Sequence, residues 1–260
     1  MSAGGAVAVS VVIAARNEAA NIIACIESAR WAREIIVVED GSTDGTAKLA
    51  ADAGATVIEN PFVTIGLQRN AAIERAGCGW ILVVDADERG SAELATEIDG
   101  VIANPSHNAF RVPRRNLFLG GEVRHGGWQS DRPVRLFRST LRYNASRVHE
   151  HVEAGESVGE LSTPLTHEPY ASMESYFEKL GRYSRWWAED RFERGMRVGA
   201  ATVVVRPPLR FLTMYLLRGG WMDGAAGAVL ACMAATSVFA KYARLWALGR
   251  RTPSGRSSGR

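Results

Sequence analysis

Two aspartates two positions apart, Asp85 and Asp87, are the side chains best placed to do chemistry in this 260-residue chain. They follow the apolar run at residues 80–84, which predicts a buried strand that delivers them to its carboxyl end. In an extended chain both would point to the same side, about 6.6 Å apart along the strand. Carboxylates that close repel each other unless a cation lies near them, and a hard divalent ion that also binds a diphosphate would satisfy both. Alone, this pattern is more often a solvated turn.

Two further predicted strand ends carry polar clusters, RNE at residues 16–18 and EDGSTD at residues 39–44. The ligand crevice of an open parallel sheet lies beyond the carboxyl ends of its strands, so all three clusters would meet at one edge. Gly41 permits a tight turn, and Ser42, Thr43 or Asp44 can cap the following helix, whose free amides favour an anion. The alternative interpretation is a plain strand-to-helix cap without a ligand.

The elements that must position these clusters are predicted from the first 100 residues. Short β-branched runs alternate with helical patterns, and the strands are apolar throughout rather than at every second position. Strands of that kind are buried on both faces, which is typical of a parallel sheet covered by helices. The predicted fold class is therefore α/β, doubly wound. The predicted strands are residues 9–14, 34–39, 56–59 and 80–84, and the predicted helices are residues 19–28, 43–53 and 65–74.

From about His107 the sequence changes to short segments with proline, glycine and arginine, which predict antiparallel edge strands and long loops. These strands are expected at residues 110–112, 117–119, 134–138 and 158–161. Helical periodicity returns from Ser172. We therefore predict an α/β domain over residues 1–170 and a helical region over residues 171–249. The tail at residues 250–260 has no apolar residue and is predicted to be disordered.

Composition excludes several classes of protein. With 47% apolar and 23% charged residues, the chain is neither disordered throughout nor collagen-like. Its three cysteines are widely spaced and form no C-x-x-C pair, which argues against a disulfide scaffold and a structural zinc and indicates a reducing compartment. We expect no secretory signal, because the apolar residues 6–15 lack a preceding basic segment.

Charge is divided unevenly along the chain. Residues 1–170 carry 16 basic and 22 acidic side chains and residues 171–260 carry 15 and 6, so their formal net charges are −6 and +9. A basic half predicts an anionic partner, either a membrane surface or nucleic acid. The basic residues alternate with long apolar faces at residues 200–246, which favours a membrane and argues against nucleic acid.

The C-terminal region is interpreted as helices that lie in the headgroup layer of a membrane. Pro207 and Pro208 can begin a helix, and residues 209–217 are almost wholly apolar between flanking arginines. Tryptophans suited to anchor such helices are Trp186, Trp187, Trp221 and Trp246. The longest uncharged run, residues 224–240, is shorter than the roughly 20 residues that cross a bilayer. The alternative is a helical subdomain, or a face between two copies of the chain.

Four motifs in order carry a resemblance to a known family. They are SVVIAARNE (residues 10–18), VEDGSTDGT (38–46), GLQRN (66–70) and VVDAD (83–87). This succession resembles family 2 glycosyltransferases of the GT-A fold. Later motifs are similar to the branch that includes lipopolysaccharide-core glucosyltransferases, which extends the resemblance over nearly the whole chain. These are PRRNLFLG (113–120), HGGW (125–128), RLFR (135–138), VHE (148–150) and RGGWMDG (218–224).

The resemblance implies a nucleotide-sugar donor, most often UDP-linked, and transfer with inversion at the anomeric carbon. It also implies Mg²⁺ or Mn²⁺ as cofactor, held on the diphosphate by Asp87. Asp85 is a further candidate ligand. His167 could supply a nitrogen ligand or a phosphate contact, but a lone histidine after a strand is more often structural. The implied donor-binding positions are Ala14, Arg16, Glu18, Asp40, Gly41, Ser42, Gln68, Asn70, Asp85, Ala86 and Asp87. Glu39 departs from the commoner aspartate before Asp40, which leaves its role open.

Transfer with inversion needs a base that takes the proton from the acceptor hydroxyl. Many relatives use the second acid of a late Glu-Asp pair, and Glu150 occupies the corresponding place, so it is the predicted base with Asp131 as its rival. Predicted acceptor contacts are His125, Trp128, Arg135 and His149, with loop packing or a polar strand edge as alternatives for Trp128 and His149. A basic cluster suited to phosphorylated or acidic acceptors, or else a solvated edge, is formed by Arg111, Arg114, Arg115, Arg132 and Arg135.

These features together predict an inverting glycosyltransferase that moves a sugar to a lipid-linked or cell-envelope glycan, such as lipopolysaccharide core. It would be cytoplasmic and peripheral at the inner face of the cytoplasmic membrane. The alternatives are a polyprenyl-phosphate sugar synthase, which differs mainly in its acceptor, and a non-catalytic nucleotide-binding α/β protein. Assembly into a homo-oligomer stays open.

Overall fold

A computed structural model describes residues 5–146, 150–170 and 172–251. The chain divides into two compact units. The N-terminal unit comprises Met1–Arg115 and Ser130–Pro169, and the C-terminal unit comprises Asn116–Gln129 and Tyr170–Arg260. The segment at residues 116–129, which lies inside the predicted α/β domain, thus groups with the C-terminal helices. Most of the tail predicted to be disordered lies outside the described residues, but its first two residues continue the last helix.

The strands and helices follow the alternation that the sequence predicts. In chain order the strands are β1 (Val7–Ala15), β2 (Ala32–Glu39), β3 (Thr56–Glu59), β4 (Trp80–Asp85), β5 (Glu88–Arg89), β6 (Ala109–Arg111), β7 (Arg114–Phe118), β8 (Gly121–Val123), β9 (Val134–Arg138), β10 (Gly159–Glu160) and β11 (Leu165–His167). The α-helices are α1 (Ile22–Ser28), α2 (Thr46–Asp52), α3 (Ile65–Ile73), α4 (Ala92–Ala103), α5 (Met173–Glu193), α6 (Ala200–Leu212) and α7 (Gly224–Arg251).

The main sheet of the N-terminal unit has the strand order β3-β2-β1-β4-β9-β6-β10 within the described residues. β1 to β4 are mutually parallel, and β9 is inserted antiparallel between β4 and β6. The register sets Ala14 of β1 level with Val38 of β2 and Asp85 of β4, so the carboxyl ends of these strands lie at one edge. The predicted mainly parallel α/β sheet is therefore confirmed. Two details are wrong. β10, predicted as an antiparallel edge strand, pairs parallel to β6. β6 and β9, also predicted as edge strands, each have a neighbouring strand on both sides.

Both faces of this sheet are buried, as its apolar strands predict. On one face Val11 and Ile13 pack in the same cluster as Ile22 of α1 and Leu94 of α4. On the other face a second cluster joins central strand residues to α3; it contains Val12, Ile36, Ile81, Ala72 and Ile73. Complete burial of one such aliphatic side chain contributes about 1.5–3 kcal/mol. Because neither face meets water, the strands carry apolar residues at successive positions.

The end of β4 differs from the prediction. The strand stops at Asp85, and Asp87 lies in the turn that leads into β5, so the two acids do not share one extended strand. The fully buried carboxylate of Glu88 accepts a hydrogen bond from the Asp85 backbone N–H at 2.7 Å, which closes the turn. Arg89 donates to the Ala86 carbonyl at 2.7 Å, and β5 then pairs antiparallel with β11. The prediction is wrong because it treats Asp85 and Asp87 as one extended strand, whereas the buried acid Glu88 turns the chain after Asp85.

The C-terminal unit is a β-hairpin with three long helices. The hairpin pairs Asn116 with Val123 and Phe118 with Gly121. Its apolar cluster contains Phe118, Val123, Tyr176, Met214, Leu230, Ala231 and Met233. The Tyr176 hydroxyl donates to the Met233 carbonyl at 2.6 Å, which joins α5 to α7.

The two prolines predicted to begin a helix lie inside α6, so that prediction is wrong. The helix begins at Ala200, after Gly199 in extended conformation, and buries Val203. Proline lacks a backbone N–H and removes hydrogen bonds from a helix interior. A π-helical turn at Thr213–Leu217 follows directly after α6.

One helix in the described part of the chain, Gly220–Arg250, is long and apolar enough to cross a membrane by length and composition. The most apolar window of this helix is 22% buried within the structure. A single helix of this kind is weak evidence for spanning, because the core helix of a soluble protein can meet the same criteria.

Candidate active site

The carboxylate of Asp85, at the end of β4, is surrounded by arginines from three other elements. Arg69 of α3 donates to Oδ1 at 2.6 Å, and Arg114 of β7 donates to Oδ2 at 3.0 Å. Arg135 of β9 donates to Oδ2 as well. The side chains of Arg69 and Arg135 are only 8% and 3% exposed, whereas that of Asp85 is 30% exposed, so these ion pairs are desolvated mainly on the arginine side.

Two more acids extend this arginine cluster. Glu88 lies behind Asp85 and accepts from Arg114 Nε at 2.5 Å and from Arg135 at 3.0 Å. Asp131 accepts from Arg114 at 3.0 Å. Arg114 therefore contacts three carboxylates, a use of its forked guanidinium that lysine could not reproduce. The cluster joins the ends of β4 and β5 to β7, β9 and α3.

The electrostatics of the cluster follow from its geometry. Burial alone would raise the pKa of Asp85, but the charges of Arg135, Arg69 and Arg114 outweigh it and hold that pKa well below its usual range. Burial would lower the pKa of Arg135, but Asp85 and Glu88 raise it well above its ordinary value. Asp85 and Arg135 are therefore charged at neutral pH.

A cavity of about 610 Å³ opens onto the arginine cluster. Its walls combine charged side chains with apolar ones: Arg69, Asp85, Arg111, Arg114, Pro133, Val134, Arg135, Tyr143, Glu150, His151, Val152, Ala154, Gly155 and Val158. Glu150, the predicted base, therefore shares a cavity with Asp85. Its carboxylate lies 3.4 Å from Arg69, and its side chain is 25% exposed. Asp131, the rival base, does not belong to this lining.

Asp87 and His167 form a separate pair in the N-terminal unit. His167 Nε2 lies 3.7 Å from Asp87 Oδ1, and the Asp87 carbonyl accepts from the Glu168 backbone N–H at 3.0 Å. Burial lowers the pKa of His167, which favours the neutral imidazole that metal ligation requires. One oxygen and one nitrogen donor this close fit a divalent ion whose other ligands come from a diphosphate and water. No group of three or more His, Cys, Asp or Glu side chains suited to a metal occurs in the described residues.

Asp85 is less available than Asp87 as a metal ligand. Both of its oxygens accept hydrogen bonds from guanidinium groups, and these bonds would have to be released for a metal to bind there. Its role as a ligand stays a prediction.

The loops after β1 and β2 carry the predicted nucleoside contacts and are joined to each other. Arg16 pairs with Asp40 at 2.8 Å, and the Asn17 backbone N–H donates to the Ser42 hydroxyl at 3.0 Å. The Glu18 backbone N–H donates to the Thr46 hydroxyl at 2.8 Å. These contacts join the two loops to each other, so Glu18 and Asp40 lie at the same carboxyl edge of the sheet, as predicted from the strand ends.

Glu39, whose role the sequence left open, stabilises its own turn. The side chain is buried and accepts from the backbone N–H groups of Gly41 and Ser42. Gly41 has φ 57°, a conformation that glycine adopts at little cost. The commoner aspartate is one methylene shorter than Glu39. This turn is therefore a strand-to-helix connection whose conformation is set by a buried acid.

Gln68 and Asn70, both predicted to bind the donor, use their side-chain amides within the protein. Gln68 exchanges hydrogen bonds with Asn60, and Asn70 pairs with both the N–H and the carbonyl of Tyr143 at 2.9 Å. Arg69 lies between them and lines the cavity. Ala86 is buried in the turn before Asp87, where its carbonyl accepts from Arg89.

The predicted acceptor residues divide between the two units. Arg135 belongs to the arginine cluster of the N-terminal unit. In the C-terminal unit, His125 Nδ1 lies 2.8 Å from Asp223, whose carboxylate also accepts from the backbone N–H of His125 at 2.8 Å. Trp128 packs against the apolar cluster of that unit, the alternative that the sequence left open. His149 lies outside the described residues.

The sequence predicts a basic cluster that includes Arg114 and Arg135, but it does not predict that Arg69 and Glu88 belong to the same site. A signal is present for both residues. Arg69 lies on a helix face that also presents the apolar residues Ala72 and Ile73, and Glu88 is an acid followed directly by Arg89. Charges in such places need partners.

The fold and the site define an α/β protein with a polar crevice at the carboxyl edge of a mainly parallel sheet. The sequence profile described as "Glycosyl transferase family 2" matches residues 10–120. "Lipopolysaccharide core biosynthesis glycosyltransferase LpsC" of Rhizobium meliloti (strain 1021) is 32% identical over 241 residues, which cover 88% of each chain. The chain therefore belongs to glycosyl transferase family 2, and it is a glycosyltransferase. The predicted family and the predicted α/β fold class are confirmed.

Other relatives agree with this assignment. An "Uncharacterized glycosyltransferase" of Rickettsia felis is 29% identical over 255 residues, covering 91% of this chain and 89% of that protein.

Among solved structures, S. aureus TarS 1-349 is 13% identical, with 94% of this chain and 91% of that chain covered and a TM-score of 0.48. Glucosyl-3-phosphoglycerate synthase from Mycobacterium tuberculosis, in complex with Mn²⁺, UDP and glucosyl-3-phosphoglycerate, is 22% identical. Only 45% of each chain is covered, and the TM-score is 0.36. At these scores neither structure indicates what this chain binds.

Proposed function

We propose that this chain transfers a sugar from a nucleotide-sugar donor, most simply a UDP-sugar, to a lipid-linked or cell-envelope glycan such as lipopolysaccharide core. The transfer inverts the configuration at the anomeric carbon. The observation that carries the proposal is the cavity in which Glu150 and Asp85 lie together at the carboxyl edge of the sheet. Similarity to LpsC over 88% of the chain supports the acceptor class.

In the proposed reaction Glu150 acts as the base. An acceptor hydroxyl oxygen forms the new bond to the anomeric carbon as the bond from that carbon to the diphosphate oxygen breaks. The electron pair of the broken bond leaves with the nucleoside diphosphate, and the hydroxyl proton passes to the Glu150 carboxylate. Arg69, 3.4 Å from Glu150 and 2.6 Å from Asp85, bridges the two acids and orients Glu150.

Asp87 and His167 are the residues that would hold Mg²⁺ or Mn²⁺. When bound, such an ion neutralises charge on the departing diphosphate. Asp85, bound by arginines, instead fixes the position of the cluster that surrounds the cavity. Glu18 and Asp40, on the braced loops after β1 and β2, are proposed to contact the nucleoside.

The C-terminal unit is proposed to rest on a membrane surface. Large apolar side chains between residues 200 and 246, all of which are described, are exposed at Val204, Val205, Leu209, Leu212, Leu216, Leu217, Trp221, Met222, Val229 and Phe239. Exposed apolar surface on this scale is typical of an interaction face. We place the enzyme at the inner face of the cytoplasmic membrane, where a lipid-linked acceptor would be presented.

Cations flank this apolar surface. Burial, with a further contribution from Arg218, lowers the pKa of Arg210, and burial together with the charge of Arg210 lowers the pKa of Lys241. The positive charge of Arg210 is therefore repelled by those of Arg218 and Lys241. An anionic headgroup layer would relieve that repulsion and add to the apolar contribution.

A panel of nucleotide sugars, each with and without Mn²⁺, tests the proposal. The true donor should raise the melting temperature, because a ligand at about 100 times its Kd stabilises the folded state by roughly 2.7 kcal/mol. It should then label isolated envelope glycolipid. Asp87→Ala should abolish the Mn²⁺-dependent part of the shift, whereas Asp99→Ala, on the exposed face of α4, should leave it unchanged. Stabilisation by no nucleotide sugar, or full activity in excess chelator, would contradict the proposal.

A further inference from the structure

We propose that the arginine-lined cavity binds an anionic group, a phosphate ester or a carboxylate, carried by the acceptor. This inference rests on the proposed function, since it assigns the acceptor to the cavity that contains Glu150. It adds the chemical feature by which the acceptor is selected.

The first observation is the distribution of charge on the cavity wall. Among the described residues, the lining contains four arginines, Arg69, Arg111, Arg114 and Arg135, but only two carboxylates, Asp85 and Glu150. Glu88 and Asp131, outside the lining, supply the remaining acidic partners of Arg114 and Arg135. None of these four acids pairs with Arg111. Within the described part of the chain its side chain donates only to the Arg132 carbonyl, at 3.3 Å. The wall therefore has a positive pole at Arg111.

The second observation is the number of donors that Arg111 leaves available. Arginine has five N–H groups, and within the described part of the chain Arg111 donates from Nη1 to the Arg132 carbonyl. Its exposed guanidinium can therefore donate to a ligand, and phosphate and carboxylate match the guanidinium fork. The buried Nε atoms of Arg69 and Arg135, which have no hydrogen-bond partner among the described residues, are closed to water and do not contact a ligand in the cavity.

The third observation separates this anion from the donor's diphosphate. The residues proposed to hold the metal and the diphosphate, Asp87 and His167, do not belong to the cavity lining. Glu150, which must contact the acceptor hydroxyl, does belong to it. An anion bound at Arg111 and Arg135 would thus be part of the molecule that brings its hydroxyl to Glu150. The cavity wall also has apolar surface, at Val134, Val152 and Val158. A sugar ring can pack on this surface beside the charged groups.

Arg111 offers the cleanest test, because its side chain is exposed and no carboxylate depends on it. Arg111→Gln should remove the positive pole without disturbing the buried pairs around Asp85. Arg75→Gln is the matched control, since Arg75 is an exposed arginine of the same unit outside the cavity lining. Both variants should keep the wild-type melting temperature.

The probes are glucose 6-phosphate, glucuronate and glucose, titrated by calorimetry into protein that is saturated with UDP and Mn²⁺ so that the donor site is filled. We expect at least one of the two anions to bind about tenfold more tightly than glucose, the usual gain from one charge-assisted hydrogen bond. Arg111→Gln should remove most of that gain, and Arg75→Gln should not change it. Whichever anion binds identifies the group as phosphate or carboxylate.

Equal binding of all three sugars, or an anion affinity that Arg111→Gln leaves unchanged, would overturn the inference. This readout does not depend on turnover. If no nucleotide sugar is transferred to any acceptor while the anion still binds through Arg111, the proposed function fails and the anion site stands. If transfer proceeds equally to neutral and anionic acceptors and is indifferent to Arg111, only the anion site fails.

Discussion

At the scale of single residues, the site contains two acids that could accept a proton, and each pairs with a different arginine. Glu150 lines the cavity and lies 3.4 Å from Arg69, longer than a strong charge-assisted hydrogen bond. Asp131 pairs with Arg114 at 3.0 Å and lies outside the lining. A base needs access to the substrate, and the position of Glu150 on the cavity wall favours it.

Glu150→Gln is therefore expected to lower kcat by roughly 10²- to 10⁴-fold while donor affinity stays nearly unchanged, because the amide keeps the shape and loses the basicity. Steady-state kinetics with a labelled donor measures both quantities. Asp131→Asn is the matched comparison and should cost much less. A large loss from Asp131→Asn together with a loss of less than about tenfold from Glu150→Gln would transfer the role to Asp131.

Asp85 has a different role, which is to neutralise the positive charges of the buried arginines that surround it. Asp85→Asn should lower the free energy of unfolding at pH 7 by on the order of 3 kcal/mol, because Arg69, Arg114 and Arg135 lose a shared counter-charge. Urea unfolding measures this difference. Asp99→Asn, at an exposed position in α4, is the control and should change stability little.

The pH dependence of that difference follows from the depressed pKa of Asp85. A carboxyl whose pKa is lower in the folded than in the unfolded state contributes its stability above the unfolded value, about 3.9, and loses it as the pH falls toward the folded value. The gap between wild type and Asp85→Asn should thus be constant at neutral pH and narrow only below about pH 4. A gap that closes between pH 7 and 5 would show that arginines do not hold this carboxylate.

At the scale of elements, α3 closely approaches the segment that carries Glu150, the proposed base. A Cβ at Gly66 would lie 2.5 Å from the Asn144 carbonyl oxygen and 3.2 Å from Tyr143 Cβ. The Glu150 Cβ is 3.6 Å from the same point. Only glycine lets the helix and the segment that carries Glu150 come this close.

Gly66→Ala should displace the segment at residues 143–144 and with it Glu150. Overpacking of this kind costs about 1–3 kcal/mol of stability, and a shift near 1 Å at a catalytic group can lower kcat by about 10²-fold. Thermal unfolding and steady-state kinetics measure the two effects. Gly79→Ala, which meets nothing within 4 Å, should leave both at the wild-type level. Wild-type kcat in Gly66→Ala would mean that α3 does not position Glu150.

At the scale of the whole molecule, the two units have different surfaces. The N-terminal unit buries its apolar residues on both faces of the sheet, whereas the C-terminal unit exposes many, with Leu217 82% exposed. Residues 171–260 carry a formal net charge of +9, whereas residues 1–170 carry −6. These two features together favour a peripheral contact with an anionic membrane.

We expect high salt or alkaline carbonate to release much of the protein from membrane fractions, since the proposed membrane contact is partly electrostatic. Leu217→Asp should lower flotation with anionic vesicles by roughly tenfold, the equivalent of losing about 1.5 kcal/mol of apolar burial. Ile23→Asp, an exposed apolar position in α1, is the control and should float like wild type. Complete retention under both extractions would indicate a spanning helix, and full solubility without membranes would indicate an ordinary helical subdomain.

The sequence by itself determined the layers of the N-terminal unit and the position of its polar edge. Runs such as residues 80–84 are apolar at every position because both faces of a parallel sheet are covered, so strand type, strand direction and the location of Asp85 and Glu18 follow from local pattern. Family membership also followed from four short motifs in order. These features depend on residues that are close to one another in the sequence, so the pattern of residue types along the chain is enough to predict them.

Only the tertiary structure decided what surrounds those acids. Arg69, Arg114 and Arg135 come from α3, β7 and β9, and they meet at Asp85 because β9 is inserted antiparallel beside β4. The turn that separates Asp87 from Asp85 depends on Glu88, whose burial is stabilised by arginines 26 and 47 residues away in the chain. Pairing across such separations is set by strand order and packing, which local residue patterns do not encode, because each partner alone is compatible with a solvated surface.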